Sequence, residues 1–533
     1  MNLFRLFRTV RYLRLRQITA RVQLRFAKVD VGEADQTTLT NTQGDWVRPT
    51  WRRAEVTDAL GFKLLNQEID VRDNNWNPAG RDKLLLYHLH YLDALNTEAL
   101  ADNPDHGLSL ITRWIDNNPP CEGNGWEPYP LSLRIVNWIK WHLSGNALPE
   151  NALASLFLQL RALDQQIEYH LLANHLFENG KALYFGGLFF DGPEAASWRQ
   201  QGAKILRDEV SEQVLADGGH FELSPMYHAI IAEDLLDILN IARAYNDTSL
   251  GNLEPKIGGM LEWLDHMTHP DGQLANFNDA TQGIAATPAE IRAYAERLGI
   301  NASPSPEPGI SYLKDSGYVR FRGKGVDIAI DIGEAGVDYQ PGHSHCDLLS
   351  FEASVGQQRL VVNTGISTYN NNQRRLYERS TAAHNTVSLD GQEQSEIWSA
   401  FRLGRRARPI DIDVGKTHVQ AAHDGFRSRD VVHRRRFDFL DGQIKIEDWL
   451  ESSNAVSGNA HFHFHPSVTP CVSGQCLAAG GVIMTFENAT RIDMLDYDFC
   501  EGFNKTSSGK KAIVSFEGYL SCLISYENTL PVR

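Results

Sequence analysis

Apolar residues recur at helical spacing through about the first 300 residues of the chain. They return every three or four positions, so they fall on one face of an α-helix and predict an amphipathic helix for each segment. Six segments carry this pattern: 81–96, 108–118, 131–143, 151–172, 196–215 and 228–245. Because short connections with glycine, proline and asparagine join them, we expect serial helical hairpins that close into a ring or a short solenoid.

The periodicity changes at residues 301–309, where three prolines in nine residues predict a linker. Beyond the linker, apolar and polar residues alternate, which predicts β-strands. Asp441-Gly442 separates two alternating runs and predicts a tight hairpin. Alternating histidines at 461–465 are expected to project from one half-exposed face of a sheet. This half of the chain is therefore predicted to form antiparallel sheets stacked in a sandwich.

The composition indicates a folded protein with an acidic surface. Apolar residues make up 42 % of the chain, and 67 acidic residues outnumber 51 Lys and Arg to give a formal net charge of −16. Disorder is therefore excluded, and no nucleic-acid partner is expected, because the phosphate backbone is itself anionic. The six cysteines are too sparse for a disulfide framework, so free thiols are expected, with a Cys471–Cys476 bridge as the alternative.

Residues 1–28 are strongly basic: they carry seven arginines and one lysine, and no acidic residue precedes Asp30. Apolar residues are interleaved with these cations, so the segment resembles neither a signal peptide nor a membrane span. A basic amphipathic helix is predicted, either lying on an anionic membrane surface or docked on the acidic body of the protein. We expect a cytoplasmic protein, with peripheral membrane contact and a periplasmic location left open.

Polar residues interrupt two apolar stretches of the helical half. Asn174 and Glu178 are four residues apart and share one helix face. Ser224 precedes a proline, which predicts a helix start and places Tyr227 in the first turn. Because a helix N-terminus favours negative charge, a phenolate is expected to form more easily there.

Histidines and an asparagine form a second group in the sheet half. His343 and His345 flank one small residue, Asn363 follows 18 residues after His345, and His384 comes later. Two imidazoles and an oxygen ligand on neighbouring strands are a plausible metal arrangement.

In combination, these groups resemble the heparinase II/III family of polysaccharide lyases. The resemblance rests on residues 126–138, 173–183, 217–228 and 269–279 in the helical half and on 342–365 and 379–396 in the sheet half. It implies an (α/α) toroid followed by an antiparallel β-sandwich, with the active site in the cleft between them. We therefore divide the chain into a basic N-terminal segment, a toroid domain and a sandwich domain, with bounds 1–30, 31–305 and 306–533.

The resemblance also implies roles for individual residues. These lyases remove the C5 proton of a uronic acid and break the C4–O bond by β-elimination. Asn174, supported by His175, matches the family's carboxylate neutraliser. Tyr227 matches the proton donor to the leaving oxygen, which is also the base for one C5 epimer. His343 matches the base on the other side of the ring.

Four further residues are candidate substrate ligands. Arg134 and Arg379 are chosen because a guanidinium group binds carboxylates through two parallel hydrogen bonds. Trp126 is expected either to stack on a sugar ring or to be structural. Tyr377 is a candidate second tyrosine of the active site.

A metal site is also implied by the resemblance. Relatives of these lyases often hold a metal through the second histidine of the pair, an aspartate and a later histidine, which carries over to His345, Asn363 and His384. Asparagine at position 363 departs from that pattern, and a neutral amide is a poorer zinc ligand than a carboxylate. Any zinc or calcium ion there would be structural, and the chemistry itself is expected to need no cofactor.

The sequence thus predicts a lyase acting on an anionic, uronic-acid-containing polysaccharide in bacterial capsule or exopolysaccharide metabolism. Two alternatives stay open. A glycoside hydrolase on a similar fold would need a pair of carboxylates, for which Glu178, Glu222 and Asp279 are candidates. A non-catalytic polysaccharide-binding or assembly protein would hold the glycan in the same cleft without cutting it.

Overall fold

A computed structural model describes residues 3–26, 28–34, 37–56, 61–300 and 307–526 of the chain. Most of the linker predicted at 301–309 lies outside these residues. Among the described residues, all the long helices precede this position. The helices are α1 Leu3–Val10, α2 Leu15–Phe26, α3 Lys83–Tyr91, α4 Glu98–Ala101, α5 Pro104–Asn117, α6 Pro128–Leu143, α7 Glu150–Asp164, α8 Ala173–Phe189, α9 Pro193–Gln213, α10 Pro225–Ala244, α11 Glu254–His266, α12 Pro288–Arg297 and α13 Gln373–Glu378.

Burial alternates along the helical half between inner and outer helices. In α8, 16 of 17 residues are buried, and in α10, 17 of 20 are buried. The intervening α9 buries only 9 of 21 residues, and α7 only 7 of 15. Such alternation is the signature of helical hairpins whose inner members form a ring and whose outer members face solvent. The helical half is accordingly an (α/α) toroid, as predicted.

A small three-stranded antiparallel sheet precedes the toroid helices and was not predicted from the periodicity. Its strands are β1 Glu55–Val56, β2 Gly61–Leu64 and β3 Gln67–Asp70. The strands are two to four residues long, which is too short for an alternation of apolar and polar residues to stand out.

The second half of the chain consists of antiparallel strands in two main sheets. Strands β4 to β8 form a five-stranded meander, and strands β12 to β20 form most of a ten-stranded sheet. The strands are β4 Gly309–Leu313, β5 Tyr318–Gly323, β6 Val326–Asp331, β7 Phe351–Val355, β8 Gln358–Val361, β9 Val387–Ser388, β10 Ile397–Ser399, β11 Arg402–Leu403, β12 Pro409–Val414, β13 His418–His423, β14 Val432–Leu440, β15 Gln443–Glu451, β16 Ser457–His463, β17 Cys471–Ser473, β18 Cys476–Ala479, β19 Val482–Gly502 and β20 Lys505–Ser525.

The two sheets stack through one apolar core, which makes this half a β-sandwich. The ring of Phe351 on β7 contacts Phe437 on β14 and Phe462 on β16, with centroids 5.6 and 6.2 Å apart. The hairpin predicted at Asp441-Gly442 joins β14 to β15, with Leu440 paired to Gln443. The six cysteines are free.

The histidines at 461–465 depart from the prediction of a half-exposed face. His461 is 3 % exposed and His463 is fully buried. His461 Nε2 lies 2.7 Å from Ser388 Oγ, and His463 Nδ1 lies 3.1 Å from Asn385 Oδ1. The alternation correctly indicates a strand, but the chain segment between β8 and β9 covers that face.

Toroid and sandwich meet through a separate apolar cluster and through hydrogen bonds. Trp263 and Phe277 of the helical half pack against the ring of Tyr318 on β5. The Tyr318 hydroxyl donates to the backbone oxygen of Leu223 at 2.7 Å. Within the part of the chain described, no helix combines the length and apolar character needed to cross a membrane.

Candidate active site

A cavity of about 360 Å³ lies where the toroid meets the sandwich. Its wall brings together all four residues predicted to act in catalysis. Asn174, His175 and Tyr227 come from the helical half, and His343 comes from the sheet half.

Asn174 lies in the first turn of α8, where the backbone is strained. The two preceding residues, Leu172 and Ala173, have φ angles of 64° and 52°, and residues other than glycine rarely adopt positive φ angles. The Asn174 amide donates from Nδ2 to both oxygens of Glu222, at 2.9 and 3.1 Å. Leu223, beside Glu222, also has a positive φ of 58°. Strain of this kind persists where the surrounding structure imposes it, and it is common at functional sites.

His175 lies next to Asn174 and retains its proton more readily than a free histidine. Its Nδ1 atom lies 3.1 Å from Glu168 Oε1. Burial lowers the pKa of His175, but the charge and hydrogen bond of Glu168 outweigh burial and raise that pKa overall. At one edge of the cavity, Glu168 therefore stabilises the cationic form of the His175 imidazole.

Tyr227 occupies the first turn of α10, as the Ser-Pro step predicts. The Ser224 hydroxyl caps the helix by accepting from the Tyr227 backbone N–H at 3.3 Å. The Tyr227 hydroxyl lies 3.0 Å from the hydroxyl of Tyr369, and its ring lies 4.1 Å from the ring of His343. A phenol from the helical half and an imidazole from the sheet half thus share one end of the cavity.

The protonation of Tyr227 differs from the expectation based on the helix start alone. Burial, followed by the charges of Asp279 and Glu222, raises the pKa of Tyr227 above its ordinary range, although Tyr369 lowers it. The cost of desolvating a phenolate therefore exceeds what the helix terminus contributes. In the resting site Tyr227 is a phenol that carries its proton.

Asp279 fixes the orientation of both histidines of the pair. His343 Nδ1 lies 2.8 Å from Asp279 Oδ2, and His345 Nε2 lies 2.7 Å from Oδ1. Arg375 donates to the same two oxygens, at 2.5 and 2.7 Å. Burial alone would raise the pKa of Asp279, but Arg375 and the two histidines hold that pKa well below its usual range.

An ionised Asp279 can only accept hydrogen bonds, so His343 carries its hydrogen on Nδ1. The lone pair of His343 is then on Nε2, which lies 4.0 Å from Glu222 Oε2. Glu222 therefore stands between the Asn174 amide and the free imidazole nitrogen of His343. A group that contacts both Asn174 and His343 would occupy the space around this carboxylate.

The three residues implied for a metal site do not form a suitable donor set. His345 Nε2 is bonded to Asp279, and its Nδ1 faces His384 Nε2 at 3.2 Å. The Asn363 side-chain oxygen accepts from the Asn385 backbone N–H at 3.2 Å. Among the residues described, no group of three His, Cys, Asp or Glu side chains is arranged to hold a metal ion.

Two predicted substrate ligands lie in the helical core instead of the cavity wall. Trp126 is 4 % exposed, and its indole N–H donates to Asn118 O at 3.1 Å. Arg134 is fully buried and donates to the backbone oxygens of His90 and Gly125. Of the two roles expected for Trp126, the structure supports the structural one. Arg134 is not placed to bind sugar, because it lies on the inner helix α6 and its side chain points into the helical packing.

The other two predicted ligands are also turned away from the cavity. Arg379 is fully buried and donates to the backbone oxygens of Ser344 and Ala400, so it holds the loop that carries His343. Tyr377 does not line the cavity, and its hydroxyl accepts from Lys511 Nζ at 3.1 Å. Both predictions are corrected: Tyr369 is the tyrosine that lines the cavity, and Arg375 is the arginine that contacts Asp279.

Sequence reasoning missed Tyr369 and Arg375 and gave Asp279 and Glu222 only hydrolase roles. Arg375 and Arg379 are four residues apart in the sequence. The short helix α13 places Arg375, and not Arg379, in contact with Asp279. Asp279 ends a motif that resembles the family, which was the available signal. Tyr369 lies in a loop without apolar periodicity, where no pattern marks one residue over another.

Two family models together match most of the chain. The Heparinase II/III N-terminus model matches residues 108–300, and the Heparinase II/III-like, C-terminal model matches residues 305–527. A heparin-sulfate lyase of Bacteroides stercoris is 27 % identical over 319 residues, which are 55 % of this chain and 46 % of that protein. The match thus spans about half the length of that relative.

Two further similarities extend over more of the chain. The FtsZ-localized protein C of Caulobacter vibrioides is 24 % identical over 451 residues, covering 76 % of this chain and 73 % of that protein. A crystal structure of heparinase III superposes with a TM-score of 0.68 at 17 % identity, covering 85 % of this chain and 79 % of the other. The latter establishes a shared fold.

Proposed function

The chain belongs to the heparinase II/III family, and from this premise we propose that it is a polysaccharide lyase that cleaves next to a uronic acid by β-elimination. The observation that carries the proposal is the meeting of Asn174, Tyr227 and His343 in one cavity, with Glu222 between the first and the last. Each half of the chain supplies part of this group.

Elimination requires the substrate carboxylate to accept negative charge when the C5 proton leaves. Asn174 has one amide hydrogen that can face a ligand while the other is held by Glu222. His175 lies beside it, and Glu168 raises the pKa of His175, which favours a protonated imidazole that can donate a hydrogen bond. Preorganised donors at this point act mainly when charge develops, which is where they lower the barrier.

Proton transfer is assigned to the other end of the cavity. His343 Nε2 takes the C5 proton, because its Nδ1 hydrogen is committed to Asp279. Tyr227 gives its proton to the C4 oxygen as the C4–O bond breaks, and its high pKa keeps that proton in place until then. The Tyr369 hydroxyl at 3.0 Å supports the phenolate that forms.

The charges of the cavity wall favour a substrate that carries carboxylates without sulfates. Among the described residues, three lysine or arginine side chains line the cavity, and each is already paired with a carboxylate: Arg52 with Glu233, Lys83 with Glu127, and Lys181 with Asp234. Sulfate groups would need free cations, whereas one uronate needs only the donors at Asn174 and His175. We propose a bacterial capsule or exopolysaccharide as the source of such a polymer.

A hydrolytic mechanism receives less support from the same residues. Hydrolysis needs two carboxylates that face the glycosidic bond. Both oxygens of Asp279 are engaged by Arg375 and the two histidines, and both oxygens of Glu222 accept from Asn174. Glu178 lines the cavity, and burial and Asp234 raise its pKa well above the usual range, as a general acid would need, but its candidate partners are the engaged Glu222 and Asp279.

The test is an assay of the purified protein on a panel of uronic-acid polymers, each backbone offered with and without sulfate. We expect new ultraviolet absorbance from a C4–C5 double bond, with the unsulfated member of a pair cleaved faster. Release of new reducing ends without that absorbance would indicate a hydrolase. Binding of a polymer without any cleavage would favour the non-catalytic alternative.

A further inference from the structure

The first two helices of the described chain turn apolar side chains toward solvent. On α1, Leu3, Phe7 and Val10 share one face and are 77 %, 62 % and 40 % exposed. On α2, three apolar side chains at intervals of three and four residues also share one face and are exposed: Leu15 at 74 %, Ile18 at 47 % and Val22 at 56 %. We call these six residues the N-terminal apolar stripe.

The body of the protein holds α1 by its polar face. Arg5 donates to Glu396 at 3.0 Å, and Arg8 donates to both oxygens of the same carboxylate at 2.9 Å. The Trp398 indole N–H donates to the Thr9 hydroxyl at 3.1 Å. Arg5, Arg8 and Thr9 lie opposite the stripe on the helix, so these bonds turn the apolar face outward.

Helix α2 is held in the same orientation. Gln17 and Ala20 are buried, at 1 % and 6 % exposure, and face the protein. Arg14 pairs with Glu212, and its guanidinium lies 3.8 Å from the centre of the Tyr339 ring. An amphipathic helix packed on a globular body normally turns its apolar face toward that body, and here both helices turn the opposite face toward it.

Cations flank the stripe, and the remainder of the protein is acidic. Arg21 and Arg25 are exposed and lie three and seven residues after Ile18, on the same side of α2. Residues 1–28 contain eight of the 51 cations and none of the 67 acids, which leaves 43 cations against 67 acids, a net charge of −24, for the rest of the chain. The N-terminal segment therefore has a net charge opposite to that of the rest of the chain, and this charge suits an anionic surface.

We propose that the N-terminal apolar stripe lies in the surface of an anionic lipid bilayer and holds the protein there peripherally. An interfacial helix needs an apolar face that enters the boundary between headgroups and acyl chains, with cations at its margins that contact anionic headgroups. Both features are present on consecutive helices, and the ion pairs to Glu396 and Glu212 present them in a fixed orientation.

The test is co-sedimentation of the full chain with vesicles of phosphatidylcholine alone and of phosphatidylcholine mixed with phosphatidylglycerol. We expect binding to the mixed vesicles, weaker binding at high salt, and about tenfold weaker binding to phosphatidylcholine alone. The double variant Phe7→Glu with Leu15→Glu should lose binding to both. The matched double variant Ile483→Glu with Leu495→Glu alters side chains that are 50 % and 47 % exposed on the long β19 strand, and should bind as the parent does.

Thermal unfolding of each variant shows whether it is folded, since the substituted side chains are exposed and should change stability little. Two results would overturn the proposal. One is failure of the parent protein to sediment with phosphatidylglycerol vesicles at low salt. The other is a parent that forms a dimer which Phe7→Glu with Leu15→Glu separates, since a second copy would then cover the stripe.

Discussion

Asp279 is the residue on which most of the candidate site depends. Its two carboxylate oxygens serve His343, His345 and Arg375, and the carboxylate and its three partners come from opposite sides of the boundary between toroid and sandwich. The same contact that selects the protonated nitrogen of His343 therefore also joins the two halves.

Replacing Asp279 by Asn should lower kcat by about 10² to 10⁴, because His343 would no longer be held with its lone pair on Nε2. The change also leaves the buried Arg375 unpaired and should cost about 3–5 kcal/mol in the free energy of unfolding. Kinetics and urea denaturation measure the two effects. Asp496→Asn is the control, since Asp496 is 71 % exposed and pairs with the exposed Lys510 at the surface. Full activity in Asp279→Asn would contradict the assigned role of His343.

Tyr227→Phe tests the proton donor directly. It removes the hydroxyl and keeps the ring against His343, so kcat should fall by about 10² to 10⁴ with KM nearly unchanged. Tyr377→Phe removes a hydroxyl that lies outside the cavity and should leave both constants close to those of the parent. An equal loss in the two variants, or a loss confined to KM, would remove Tyr227 from the chemistry.

At the level of elements, the inner helices of the toroid carry a buried cluster of charges behind the cavity. Asp237 on α10 pairs with Lys140 on α6 and with Lys181 on α8. Burial raises the pKa of Asp237, but the two lysines outweigh burial and depress that pKa below its usual range. These pairs tie together the three helices that supply most of the helical wall.

Asp237→Ala should destabilise the protein by about 3–5 kcal/mol, since it leaves two buried ammonium groups without their shared carboxylate. The free energy of unfolding in urea measures this loss. Asp208→Ala on the exposed side of α9 is the matched control and should stay within about 0.5 kcal/mol of the parent. If both variants unfolded at the same urea concentration, the cluster would have no structural role.

The sequence could predict the helices and strands far better than the direction in which individual side chains point. The helical spacing of apolar residues in α5, α6, α9 and α10 is visible in the sequence, because one apolar face is enough to define a helix. The hairpin after β14 is visible too, because Asp441-Gly442 separates two alternating runs. Trp126 and Arg134 could not be placed, since periodicity does not distinguish an inner helix from an outer one. In contrast, Asn174 and Tyr227 stand out because polar groups interrupt apolar runs there, and His343 stands out because it forms a closely spaced pair with His345.

At the scale of the whole molecule, buried carboxylates in both halves should make the protein lose stability as the pH becomes acidic. Burial raises the pKa of Asp448 in the sandwich, but the charge of Arg435 and the hydrogen bond from His433 lower it to about 2. Asp279 at the boundary is depressed in the same direction. A carboxyl whose pKa is lower in the folded state stabilises the fold above its unfolded pKa of ~3.9, and this contribution is lost as pH falls through the folded value.

The Tm should therefore fall steeply between about pH 4 and pH 2, with Asp448 contributing on the order of 2 kcal/mol. Calorimetry of the parent and of Asp448→Asn across this range measures the dependence. The variant should be less stable at neutral pH and should lose less stability on acidification. Asp496→Asn, at a carboxylate that is 71 % exposed, should follow the parent. Parallel curves for the parent and Asp448→Asn would contradict this assignment.

The central claim is that Asn174, Tyr227 and His343 act on one uronic acid by elimination, and mass spectrometry of products formed in water enriched in heavy oxygen tests it most directly. Elimination breaks the C4–O bond without adding water, so the account predicts unsaturated products that carry no label, and no such products from Tyr227→Phe. Products that incorporate heavy oxygen at the cleaved bond would establish hydrolysis and contradict the account.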